Sequence, residues 1–213
     1  MALTVPPPRA PSSAESGGSS TESGGEAPGG PGAGWAGWYE RELGWAAVGG
    51  PPVRLPTGLR FDALVVPAAA GRAALRRVGR SGPVALRGPR LALLVAPGSA
   101  EELPGLLDWL EWSGVALPLA GLGAGGRITA PPPPGVPVEP GAASWLRPPW
   151  PSPEQDEAPV LPAFSGFGSG DGDAPDLVRL VDAVAAECHR VRLARARAGV
   201  FHGESATQPL AFS

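Results

Sequence analysis

The run FDALVVPAAAGRAALRRV, residues 61–78, decides the fold class. Phe61–Val66 is apolar at nearly every position and too short for a core helix, so it reads as a buried strand with Asp62 as its one charge. Pro67 stops that strand. Ala68–Val78 then reads as an Ala-rich helix closing on Arg76 and Arg77, where cations suit the helix dipole. Working downstream, Gly82–Leu86 and Arg90–Ala96 read as strands separated by Arg87-Gly88-Pro89. Ser99 is placed as an N-cap with Glu102 three residues on, a capping box. Leu103, Leu106, Leu107 and Leu110 give that helix a core-facing stripe. Pro104 is tolerated near its first turn, Gly114 ends it, and Trp109 is expected to pack at the core or its edge. Val115–Leu119, Arg127–Ala130 and Ser144–Leu146 are three further short strands. Upstream, Trp35, Trp38, Tyr39 and Leu43 mark a short amphipathic helix, and Val53–Leu55 a short strand before the Thr57-Gly58 turn. Strands and helices intermix with antiparallel hairpins, which predicts an α+β fold: a small mixed or antiparallel sheet with packing helices.

The rest of the chain divides by composition. Residues 1–34 are Pro, Ser, Gly and Glu, cannot offset ordering entropy, and are expected to be disordered. Residues 35–149 form the domain, and residues 150–173 read as a Pro/Gly/acidic linker. Residues 174–198 read as an amphipathic helix outside the domain, capped by Asp173 ahead of Pro175. Its stripe is Leu177, Leu180, Val181, Val184, Cys188 and Val191, extending to Arg195, and Arg190, Arg192, Arg195 and Arg197 crowd its end. Residues 199–213 read as loose.

The 213 residues include 32 Gly and 29 Pro, and all 17 basic residues are Arg. That usage follows GC-rich codons and points to a bacterial source. Residues 35–150 carry eleven arginines against eight acids, while both flanks are acidic. A mildly basic core is compatible with a polyanion partner without requiring one. Cys188 is the only cysteine, so neither an intramolecular disulfide nor a cysteine metal cluster is possible. Its neighbour His189 falls on another helix face, and His202 lies in a loose segment. The N-terminus has no apolar signal segment, and no apolar run approaches the roughly 20 residues of a membrane span, so a soluble cytoplasmic protein is expected.

Motifs that carry chemistry are sparse. Gly121-Leu122-Gly123-Ala124-Gly125-Gly126 is followed by Arg127–Ala130 and prolines, so it reads as a turn between strands rather than a dinucleotide loop. There is no Walker loop, HExxH or GxSxG, and no metal or cofactor is expected. Asp62 is the residual catalytic candidate, but Leu64 stands at i+2 where a metal pair needs a second carboxylate. Its structural alternative is pairing with an arginine such as Arg60. Arg54, Arg60, Arg87, Arg90 and Arg127 flank the strands and are the candidate nucleic-acid-binding set.

Across Trp38–Pro149 the ordered motifs resemble the N-terminal primase–polymerase (Prim-Pol) domain of bifunctional DNA primase/polymerases, in its divergent actinobacterial form. The matching segments are Trp45–Pro56, Leu55-Pro56-Thr57-Gly58, the following strand with Gly71, Gly88–Val95, and Gly123–Pro134 followed by Trp145. Where that family has Asp-x-Asp, this chain has Val65-Val66-Pro67-Ala68, and where it has a strand His, this chain has Arg90-Leu91-Ala92. The resemblance therefore implies a primase-type fold without the acids that hold metal. The expected function is a catalytically inactive Prim-Pol-like protein that binds nucleic acid, single-stranded above all, or a nucleotide through an Arg-bearing sheet face. The alternatives are a protein-interaction module, in which the helix Pro175 to Arg197 docks on the domain or on a partner, or an active primase/polymerase with a non-standard site using Asp62.

Overall fold

The computed structural model describes residues 33–133, 135–149, 161–164 and 176–204. Its elements run α1 (Ala33–Leu43), β1 (Arg54–Pro56), β2 (Asp62–Pro67), α2 (Ala68–Val78), β3 (Val84–Arg87), β4 (Arg90–Val95), α3 (Ser99–Trp109), β5 (Ala120–Leu122), β6 (Arg127–Thr129), β7 (Ser144–Arg147) and α4 (Leu177–Glu204). The architecture is α+β. A five-stranded sheet has the order β5-β2-β4-β3-β7, and β1 and β6 form a separate ribbon; among the described residues these strands all pair antiparallel.

β2 is buried along its length except at Val65, which is half-buried. Alternation splits the sheet residues between two cores. Leu64, Val66, Leu91, Leu93, Val95 and Val84 face α2, α3 and α4. Ala63 and Leu94 face the other way, against Tyr39, Trp45, Leu55, Phe61 and Ile128 from α1, the loops and the ribbon. Two glycines set the spacing of these layers. A methyl group on Gly71 would lie 2.7 Å from Leu91 Cδ1, so α2 presses directly on the sheet. Gly58, at φ +85°, abuts the Ala124 backbone, which locks the Thr57-Gly58 turn onto the 123–126 loop; a methyl group there would lie 2.4 Å from Ala124 Cα.

Several expectations are corrected. The helix expected as an element outside the domain is instead a layer of its core: Leu177, Leu180, Val181, Val184 and Cys188 are buried with the sheet residues and α2. Arg77 of α2 donates to Glu187 of α4 at 3.1 Å, and Arg190 donates to the same carboxylate. Within the expected linker, Leu161–Phe164 is pinned. Ala96 N–H donates to Pro162 O at 2.8 Å, and Ala163 bridges to Asp176. Asp176 supplies the α4 cap through Oδ1, accepting from Val178 N–H at 2.8 Å. The expected cap Asp173, the rest of the 150–173 linker and all but two residues of the 1–34 tail lie outside the described residues, as does most of the 199–213 terminus. Ala33 and Gly34 open α1.

The strand expected at Val115–Leu119 falls at Ala120–Leu122, where the register with Val65–Ala63 begins. Pro118 has no N–H to give a ladder, and Leu117 and Leu119 pack on the helix-side core instead. α3 starts one residue after Gly98 and has no side-chain cap from Ser99. It also ends before Gly114. Trp112 N–H donates to Leu107 O at 2.7 Å and Glu111 N–H to Asp108 O at 3.0 Å, a Schellman closure with Glu111 at φ 63°. This reversal turns Trp112 onto α4, where its ring meets His189 and Nε1 donates to Asp182. Trp109, expected to pack at the core or its edge, lies off the Leu stripe and is 66% exposed. Glutamate is strained in the left-handed region that glycine adopts freely. Glu111→Gly is expected to raise stability by about 1 kcal/mol, read as a higher urea midpoint at unchanged slope. A lower midpoint would contradict the closure.

Candidate functional site

The sheet face away from α2, α3 and α4 is only partly covered. Val65 lies opposite Ala92, and Ala92 opposite Ala85, so three adjacent strands present one medium and two small side chains in a row. The ribbon stands over one side of this floor and the β3–β4 hairpin bounds another. The result is an open cleft of about 470 Å³. Its lining includes Arg54 and Arg127 from the ribbon, Arg87 and Arg90 from the hairpin, and Gly141 and Ala143 from the loop before β7.

Four of the five arginines singled out in the sequence therefore converge on one cleft. Arg60 does not line it; it is exposed on the 57–60 turn. Arg87 and Arg90 face each other directly across the hairpin, a like-charge cross-strand pair that works against the fold. Gly88 at φ 52° suits the tight turn between them. Arg90 donates weakly to Val65 O at 3.5 Å. Among the described residues no carboxylate forms an ion pair with Arg54, Arg87, Arg90 or Arg127, and no cleft-lining residue is acidic. A concave site with one sign of charge over an apolar floor concentrates the field that draws in anions. Thr129 Oγ1, also in the lining residues, is buried without a hydrogen-bond partner.

A three-part hydrogen-bond chain fixes the ribbon over the sheet. Trp145 Nε1 donates to the Tyr39 hydroxyl at 3.1 Å, which donates to Pro131 O at 2.7 Å. Burial pushes the Tyr39 phenol well above its ordinary range, opposed by the Trp145 bond. Tyr39 was legible in the sequence only as a helix-stripe residue. The small floor residues and Thr129 carried no chemical signal at all; alternation of Ala within two adjacent strands was the one available hint.

Asp62 lies elsewhere. Its strand position puts it on the helix-bearing face, at the end of β2 remote from Arg90. It is fully buried, and Oδ2 accepts from Ala100 N–H at 2.9 Å, capping α3. The expected pairing with Arg60 is replaced by this helix amide. Oδ1 has no partner, and Glu101 approaches the same neighbourhood across Gly123. Among the described residues no group of three potential metal-ligating side chains assembles there or elsewhere. The glycine-rich 121–126 segment is the connection from β5 to β6, with Thr57 Oγ1 donating to Gly123 O at 2.6 Å.

Cys188 is buried against the sheet, and burial raises its thiol from 9.0 to about 11, with Arg90 opposing and Glu187 reinforcing the shift. The folded state then holds a proton that the unfolded chain releases near pH 9. This contribution to stability is complete below pH 9 and is lost as pH rises through 9 to 11. Urea midpoints should fall more steeply across that window in the wild type than in Cys188→Ala; parallel profiles would refute the assignment. Subtracting the variant removes the Tyr39 contribution, which has the same sign.

No family model, curated protein or solved structure matches the chain. Among the described residues, no helix is long and apolar enough to cross a membrane.

Proposed function

We propose that this chain binds single-stranded nucleic acid through the arginine cleft and does not itself carry out nucleotidyl transfer. The observation that carries the reading is the convergence of Arg54, Arg87, Arg90 and Arg127 on one cleft with no acid among the described residues that line it. Such a fork of donors suits phosphate oxygens. Among the described residues no aromatic side chain lines the cleft, so none of them offers bases a stacking platform there. Binding is therefore led by phosphates, tolerant of sequence and steeply salt-dependent.

The Prim-Pol resemblance supports the same reading. Val65, which begins the segment aligned with the family's acidic pair, is part of the cleft floor, and Arg90 stands in the segment aligned with its strand histidine. A primase-type phosphate site would keep its arginines and lose its metal-holding acids in this way. Labelled single-stranded DNA, its duplex and a nucleoside triphosphate competitor distinguish the possible ligands in one fluorescence anisotropy experiment at low salt. Tight binding of the single strand with weak triphosphate competition is the expected result. Triphosphate competition at equal affinity would make the ligand a nucleotide. Primer synthesis by the purified chain would overturn the non-catalytic part.

A further inference from the structure

The helix α4 outruns the core it helps to build. Cys188 is fully buried and Val191 half-buried, but every residue from Arg192 to Ala198 is exposed. At about 1.5 Å per residue, Ala198 stands roughly 15 Å beyond Cys188 along the axis. The segment carries Arg190, Arg192, Arg195 and Arg197, with no acid between Glu187 and Glu204. Arg190 is engaged by Glu187, and Arg192 donates to Ala116 O at 3.1 Å. Among the described residues, Arg195 and Arg197 have no hydrogen-bond or ion-pair partner. Ala, Leu and Arg are good helix formers and cations suit a helix C-terminus, so the extension needs no packing to persist.

Topology decides where this extension emerges. α4 begins beside Ala163, next to the end of β4, because Leu177 N–H donates to Ala163 O and Ala96 N–H to Pro162 O. It runs towards the start of β4, where the Arg87–Arg90 hairpin closes. Ala116, which Arg192 reaches, precedes β5, whose first residue Ala120 pairs with the cleft-floor residue Val65. The Arg90 charge is also felt at Cys188, the last fully buried residue of α4 among those whose side chains are described. The basic extension and the arginine cleft therefore lie at the same end of the sheet, on its opposite faces.

We propose that the exposed C-terminal turns of α4 are a basic arm that carries the phosphate track beyond the cleft, with Arg195 and Arg197 as its contacts. This rests on the cleft's binding single-stranded nucleic acid. A strand leaving the cleft past Arg90 must pass round the hairpin end of the sheet to its helix side, so it meets the arm only if it is long enough. The two sites are thus separable by ligand length.

The test uses the full chain and its Arg195→Gln/Arg197→Gln variant, since Gln keeps helix propensity. Each is titrated with single-stranded oligonucleotides of about 4 and about 20 nucleotides. The variant should bind the long oligonucleotide about 10-fold more weakly, with a salt slope shallower by about 1.4, and the short one unchanged. Equal affinity for the long oligonucleotide, or the same loss at both lengths, would overturn the arm. Wild-type protein that binds neither length would remove the cleft reading and the arm with it.

Discussion

A chain truncated after Pro149 is expected not to fold. The truncation removes Leu177, Leu180, Val181 and Val184, all at most 1% exposed, together with Cys188. Burial of each large aliphatic side chain is worth about 1.5–3 kcal/mol as an upper range. Together they rival the whole stability of a domain this size, about 5–15 kcal/mol. The truncation also exposes the helix-side sheet face, including Leu91, Leu93 and Val84, and strips the Glu187 partner from Arg77. Leu161–Phe164 goes as well, and with it the Pro162 carbonyl that satisfies Ala96 N–H. The expected result is a urea titration without a cooperative transition. A sigmoidal transition near the full-length midpoint would show that α4 is an appendage. Leu180→Ala in the full chain gives the graded version, a loss of about 2–5 kcal/mol.

The second large effect separates binding from stability. Arg87→Gln/Arg127→Gln is expected to weaken binding of single-stranded DNA by about 100-fold at low salt, roughly 1.4 kcal/mol for each guanidinium. The fold should not suffer. Arg87 lies opposite Arg90 across the hairpin, so losing its charge relieves repulsion worth a few tenths of a kcal/mol. Arg127 is exposed and has no ion-pair partner among the described residues. The expected signature is lost affinity with an unchanged or slightly higher thermal midpoint. Loss of both together would mean that the arginines serve structure, and unchanged affinity would mean that the cleft is not the site. Arg60→Gln, on its separate turn, is the matched control and should leave binding within about 2-fold of wild type.

Periodicity made most of the elements legible. The limits of α2 coincide with the expected Ala68–Val78, because Pro67 and Gly79 punctuate a uniform helical run. β2, β3, β4, β6 and β7 lie within two residues of their expected ends. Errors arose where tertiary contacts override local signals. α3 ends at a left-handed Glu111 rather than at Gly114, because turning Trp112 onto α4 favours a residue that propensity disfavours. α4 looked separable because a Pro/Gly-rich segment precedes it. That composition reports chain stiffness and says nothing about whether the apolar stripe beyond it faces its own domain. The arginine set was legible as strand-flanking charge, but its convergence depended on the ribbon folding over the sheet. Arg60 is only six residues from Arg54 and ends elsewhere, a distinction of register that spacing does not carry. Asp62 read as the one charge in a buried strand, and it is buried, but its partner is a helix amide 38 residues on rather than an arginine.

We propose that an uncompensated arginine cleft takes up the phosphates of a single strand. The salt dependence of binding tests it most directly. For an oligonucleotide of about 8 nucleotides, the logarithm of the binding constant should fall against the logarithm of salt with a slope of about −3, near −0.7 for each of the four cleft arginines. In Arg87→Gln/Arg127→Gln that slope should shrink to about −1.4. A flat dependence, or the same slope in both proteins, would contradict the account.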